Sequence, residues 1–289
     1  MSSQITTAFV QQYSSNVQLL SQQKGSLLRN AVRVESQVGK NAFYDQVGSA
    51  TAQKRLSRHA DTPQIDTPHA RRRVSLVDYE YADLIDDQDK VRTLIDPTSP
   101  YSQATAFAMG RAIDDEIISA AFGTAYTGET GSTSTTFPSG QQVGVGSPAA
   151  GLSIAKLVEA KQLLDENNVD PTLPRYCAVA PEQLADLLNI TTVTSSDYNT
   201  VKALVQGEID TFLGFKFIVS NRLSSESGVN RRVIAWAEDG LLLSIGKDIT
   251  AKIDERADKG YATQVYYAMS IGATRMEEEK VVEIKCRED

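Results

Sequence analysis

The sequence predicts an α+β protein, and three patterns predict it. One long helix is marked between Ser99 and Gly123, helix and strand patterns alternate from Ser153 to Ile245, and three further strand patterns close the chain between Ile249 and Cys286. Residues 1–76, ahead of these, carry no periodic run able to close a core.

In chain order, residues 1–36 are rich in Ser, Gln and Asn. Phe9, Val10, Tyr13 and Val17 recur at helical spacing, which predicts a short helix over Ile5–Leu20 on an arm that lies against something else. From 37 to 76 short apolar pieces (Val38, Phe43, Tyr44, Val47) alternate with glycine and polar residues, and Pro63 and Pro68 punctuate the second half. From 54 to 73 Lys54, Arg55, Arg58, Arg71, Arg72 and Arg73 face only Asp61 and Asp66, a balance of +4. Residues 77–96 reverse the sign. Asp78, Glu80, Asp83, Asp86, Asp87, Asp89 and Asp96 stand against Lys90 and Arg92, a balance of -5. Two solvated faces would give this pattern, and so would contact between opposite surfaces, within or between subunits.

Ser99 suits an N-cap and Pro100 a first helical position. Ala104, Phe107, Ala108, Ile118, Ala121 and Phe122 then fall on one face of a helix of about 24 residues, roughly 36 Å long. Arg111 and Asp115 interrupt that stripe at i,i+4 spacing, which predicts a spine packed partly against other chains. Residues 124–152, dominated by Gly, Ser and Thr, predict a flexible loop or short hairpin. Beyond it Ser153 caps a helix that Asn167, Asn168 and Pro171 stop, and Tyr176–Ala180 reads as a buried strand. Helices follow from Pro181 and over Asn199–Gln206, and strands over Phe215–Val219, Arg232–Ala237 and Leu241–Ile245. The last strands are Ile249–Ile253, Thr263–Gly272 and Val281–Cys286.

Composition narrows the function. With 41% hydrophobic and 23% charged residues in 289, the chain is ordinary globular material with room for one large or two modest cores. No apolar run approaches membrane-spanning length, and the polar start Met1-Ser2-Ser3-Gln4 does not read as a secretory signal. Cys177 and Cys286 lack metal or disulfide spacing, so synthesis in a reducing, intracellular compartment is expected. A net charge of -8 argues against a dedicated nucleic-acid binder, though not against a wall enclosing nucleic acid at a distance.

The residues that carry chemistry do not converge. His59 and His69 have no cysteine or acid at ligand spacing. Gly144-Val145-Gly146-Ser147 lacks both a preceding strand and the spacing of a phosphate loop. Glu278 and Glu279, adjacent on an expected strand, would point to opposite faces. Arg71-Arg72-Arg73 has some nucleic-acid character, but a salt-bridged subunit contact suits it better. No catalytic residue, cofactor site or metal site is expected.

Four passages carry a family resemblance. Arg72-Arg73-Val74-Ser75-Leu76-Val77-Asp78-Tyr79 with Ala82-Asp83-Leu84-Ile85-Asp86, Pro100–Ala121, Gly207–Lys216 with Ser220-Asn221-Arg222-Leu223, and Gly272–Met276 with Val281-Val282-Glu283-Ile284 run in that order. Together they span most of residues 37–289 and resemble the Hong Kong 97-type coat proteins of tailed phages. None is a signature alone; their order along one chain is what carries the likeness. The resemblance implies an N-terminal arm (1–36), an extended loop (37–76), a peripheral domain (77–126 and 247–289) with the spine helix, and an axial domain (127–246). It implies a major capsid subunit that is not an enzyme. Such a subunit assembles with itself into pentamers and hexamers of an icosahedral head in the host cytoplasm. The implied partners are a separate scaffolding protein, a portal protein and packaged double-stranded DNA held non-specifically, with decoration proteins left open and no membrane. The extended loop of such coats crosses the neighbouring subunit, which gives the charge reversal a use: Arg71, Arg72 and Arg73 of one copy approach Asp83, Asp86 and Asp87 of the next, with Arg111 and Asp115 as further contacts. Some relatives cross-link a loop lysine to a neighbour's asparagine; Lys40, Asn41 and Lys54 do not match that motif residue by residue, and no cross-link is expected. A cellular compartment of encapsulin type, sharing the fold but enclosing enzymes, is the alternative, and an α/β enzyme built on 151–246 is a more distant one.

Overall fold

The computed structural model describes residues 21–55, 57–58, 61–62, 64–85, 98–189, 211–226 and 230–288, with only the backbone at 98–101. The helices expected over Ile5–Leu20 and Asn199–Gln206 lie outside the described residues. The described residues gather into two compact units, one drawn from 21–26, 78–85, 98–111 and 247–269, the other from within 27–77, 112–189, 211–226, 230–246 and 270–288.

The second unit is centred on a mixed sheet. Its strands are β7 (Gln142–Val143), β8 (Arg175–Val179), β9 (Thr211–Phe212), β10 (Phe215–Val219), β12 (Asn230–Ala237) and β15 (Val281–Arg287), in the order β7-β15-β12-β8-β10-β9, with β11 (Ser225–Glu226) flanking β12. Buried on both faces, β12 from Val233 to Ala237 reads as an unbroken apolar run rather than an alternating one. Helix α2 (Ile154–Glu166) lies against β15 and β7, burying Leu157, Ala160 and Leu164. Its Ser153 cap forms as expected, the hydroxyl accepting from the Lys156 amide. Helix α3 (Pro181–Asn189) begins at the expected proline. Cys177 and Cys286 are free thiols buried in this sheet.

Two further sheets appear among the described residues. One has the order β1-β13-β14-β4, from β1 (Arg33–Ser36), β13 (Leu241–Arg256), β14 (Ala262–Arg275) and β4 (Val77–Ile85). The other has the order β2-β3-β5-β6, from β2 (Asn41–Val47), β3 (His69–Ser75), β5 (Ala125–Thr127) and β6 (Thr133–Thr135). The segment 124–152 thus resolves into the β5–β6 hairpin and β7 rather than a bare loop. Strands expected separately at Leu241–Ile245 and Ile249–Ile253 are one strand. Gly246, which lies between the two expected strands, is a point of close approach: a Cβ there would lie 2.3 Å from Leu76 Cδ1.

The spine helix α1 (Thr98–Phe122) runs 25 residues; it begins two residues before Pro100, the expected first helical residue, so Ser99 lies inside it rather than capping it, and it ends at Phe122, just before Gly123. In the first unit the segment at Gly25 passes so close to it that a Cβ on Gly110 would meet Gly25 backbone at 2.5 Å. Glycine is a poor helix former, and this contact is the reason it stands in mid-helix. No described helix is long and apolar enough to cross a membrane.

Candidate assembly surface

Strands β2 and β3 form the antiparallel stem of the extended segment, in register from Asn41 opposite Ser75 to Val47 opposite His69. Pleating sends alternate residues to opposite faces, and the two faces have different chemistry. On the inner face Tyr44 meets Ser244 (Oη to Oγ, 3.1 Å) and Gln46 donates to the Met276 carbonyl (2.7 Å). Arg72 donates through Nε to that same carbonyl (2.8 Å) and forms an ion pair with Glu278. The apolar part is small: Val74, Leu242 and Met276, with Tyr44 against them. On the outer face Arg71 pairs with Asp45 and lies over Phe43 (5.7 Å), and Arg73 lies over Tyr126 (4.6 Å). The hydrogen bond to Arg71 holds the Asp45 carboxyl below its usual range and raises Arg71 in return.

Glu278 belongs to a second set of bonds. Arg275, fully buried, donates to the carbonyls of Ala121 (2.8 Å) and Gly123 (3.0 Å) at the end of α1, and to that of Thr135 (3.4 Å) in the β5–β6 hairpin. Carbonyls at a helix C-terminus have no partner within the helix and carry partial negative charge, so a guanidinium is apt there. Its Nε approaches Glu278 at 3.5 Å. Burial pulls the Arg275 pKa below its ordinary value, and Glu278 opposes the shift.

Of the residues expected to meet other copies, Arg71 and Arg73 share the outer face, and Asp83 sits on β4, its carboxylate accepting from the Leu84 amide. Arg72 is 6% exposed and engaged within its own chain, so a role at a subunit boundary does not suit it. Asp86 and Asp87 lie outside the described residues. Arg111 and Asp115 are engaged separately. Arg111 donates to the Gln22 side chain (3.0 Å) and the Gln23 carbonyl (3.2 Å), and Asp115 pairs with Arg222. Two acids matter to the fold in ways their sequence context does not give: Asp114 is not singled out there, and Glu278 is weighed only as half of an acid–base pair. Asp114, fully buried, accepts from the amides of Leu27 (3.0 Å) and Leu28 (3.1 Å). Its place four residues before Ile118 and seven before Ala121, in the centre of the apolar stripe, was the available signal. Glu278 lies in the turn between β14 and β15 rather than on a strand, and no pattern in the sequence points to its partner 206 residues away.

The C-terminus is tied by charge. Glu288 accepts from Arg231 through both oxygens (2.7 and 2.9 Å) and from Gln183 (3.0 Å), and chiefly the Arg231 bond lowers its pKa from 4.5. A carboxylate lowered on folding contributes stability that is complete above its unfolded pKa and fades as pH falls through its folded one. Melting temperature is therefore expected to drop below about pH 4.5, and Glu288→Gln to flatten that limb. Equal slopes between pH 5 and pH 3 in both proteins would contradict the assignment.

Nothing described here assembles chemistry. An open cleft of about 400 Å³ touches Asp115, Phe122, Arg222 and Arg232, but its charges are already matched, Arg222 to Asp115 and Arg232 to Glu283. Among the described residues no three His, Cys, Asp or Glu side chains gather to hold a metal. Burial raises both thiols, Cys286 to about 12, which leaves them protonated and inert as nucleophiles.

Comparison with known proteins agrees with this picture. No curated protein matches the chain. Its fold is similar to the capsid of cyanophage P-SCSP1u (TM-score 0.75, 19% identity, 99% of this chain and 95% of that one). It is likewise similar to Mycobacterium phage Che8 (0.69, 17%, 96% and 97%) and to the capsid of an empty GTA particle (0.71, 13%, 99% and 98%). These likenesses place the fold among Hong Kong 97-type capsids. The model of the family described as phage capsid protein matches residues 5–288. The chain therefore belongs to the phage capsid protein family and is a structural, non-enzymatic component of a virion.

Proposed function

We propose that the chain is the major subunit of a tailed-phage head, assembling in the host cytoplasm as pentamers and hexamers of an icosahedral shell around double-stranded DNA. A separate scaffolding protein and a portal would take part in assembly, and DNA would be held without sequence preference. The observation that carries this reading is the two-faced stem: one face is bonded into its own chain, and the other offers arginine and aromatic side chains. In the proposed assembly the loop (37–76) reaches from that stem over a neighbouring copy. Arg71 and Arg73 of one subunit approach the acidic segment of the next, at Asp83, Asp86 and Asp87. Exposed pairs contribute about 0–1 kcal/mol each, so strength comes from repetition around a closed, symmetric particle.

Electron microscopy of the purified full-length protein tests the shell itself: closed particles are expected, and discrete small oligomers at every concentration would reject it. The contact is tested by Arg71→Glu with Arg73→Glu. Arg71 pairs with Asp45 and Arg73 is half-buried over Tyr126, so the melt of unassembled protein is the control: assembly should fall at least tenfold in protein that still melts cooperatively. Normal particles from that double variant would rule the contact out.

A further inference from the structure

Arg72 and Glu278 invite a question that folding alone does not answer: why a loop stem is fastened to its body by a buried ion pair rather than by more apolar surface. Replacing such pairs by well-packed apolar residues is often neutral or stabilising, so stability is a poor explanation. Direction is a better one. Burial of apolar surface does not discriminate between orientations, whereas hydrogen bonds to a fixed carbonyl and carboxylate do. Among the described residues the apolar cluster here is Val74, Leu242, Met276 and Tyr44, and the polar bonds from Gln46 and Arg72 converge on one short turn, at the Met276 carbonyl and Glu278. That turn follows directly from Arg275, which is bonded to the carbonyls closing α1.

We infer that Glu278 is a positioning residue for assembly: with Arg72 it latches the β2–β3 stem onto the turn at the end of α1 and so sets the direction in which the loop leaves its subunit. The inference rests on the shell reading above. Arg275 has the carbonyls of Ala121, Gly123 and Thr135 to meet its charge, whereas Glu278 is the carboxylate paired with Arg72. Loss of the Glu278 charge therefore falls mainly on Arg72. The β2–β3 stem, whose β3 also pairs with β5 at Arg72 and Arg73, can loosen within its own small sheet and rehydrate that guanidinium without opening the central sheet.

The test compares the full-length protein before assembly with Glu278→Gln and with Glu278→Gln combined with Arg72→Met, by amide exchange and by microscopy of assembled particles. Glu278→Gln is expected to speed exchange in 41–47 and 69–75 on the order of 100-fold, to leave 281–287 unchanged, and to yield fewer and misshapen particles. Adding Arg72→Met removes the stranded charge and should restore slow exchange in the stem, but not regular particles, because the directional bonds stay lost. Unchanged exchange in the stem, equal acceleration in 281–287, or regular particles from either variant would each overturn the latch. If the wild-type protein forms no shells, the shell reading falls, while the exchange measurement still reports whether Glu278 holds the stem.

Discussion

Trp236→Ala is expected to lower stability by about 3–5 kcal/mol, the range for removing a buried large aromatic side chain. The sole tryptophan is 1% exposed, stacks on Tyr176 at 5.8 Å, and donates its indole N–H to the Ala31 carbonyl at 2.8 Å. It thereby ties the segment entering β1 to the middle of the central sheet. Against a total of roughly 5–15 kcal/mol, that loss removes about a fifth or more of the stability. A fall in melting temperature of about 10 °C should follow, read by circular dichroism because the fluorophore is gone. Trp236→Phe separates the two contributions. It keeps most of the buried area and loses only the bond to Ala31, for about 1–2 kcal/mol. Equal losses in the two variants would show that packing against Tyr176 contributes little.

Arg275→Lys, formally conservative, is expected to destabilise by about 2–4 kcal/mol, and Arg275→Ala by more. The guanidinium spans three carbonyls from two elements, which a single ammonium on a flexible stem cannot reproduce. In the lysine variant the last carbonyls of α1 lose a buried donor, and the β5–β6 hairpin loses its tie to the helix end. Urea midpoints measure the difference, with an unchanged slope showing that the unfolding transition itself is the same. A lysine variant within about 0.5 kcal/mol of wild type would mean that the fork geometry is dispensable.

The secondary structure was legible because its causes are local. Ser153 caps α2, Pro181 opens α3, and the apolar runs of β8, β10, β12 and β15 lie where the pattern puts them, since capping, proline geometry and burial leave marks within a few residues. Gly246 shows the limit. It falls between two strands expected separately, and its role depends on Leu76, 170 positions away in the chain, crossing at that point. The candidate surface was legible by halves. Arg71, Arg72 and Arg73 stand out as a cluster, yet pleating separates Arg72 from its neighbours, and only the partner strand and the Met276 turn decide which face is inside.

By itself the sequence marked the spine helix, most elements from Ser153 onward and the charge reversal at 76–77, and its ordered passages carried the likeness to the family. Only the tertiary structure decided which charged residues are bonded in the interior of the chain, among them Asp114, Arg72, Arg275 and Glu278. The physical reason is range. Helix and strand propensities act over a few neighbouring residues, whereas a buried charge is defined by its partner, and the fold draws that partner from across the whole chain.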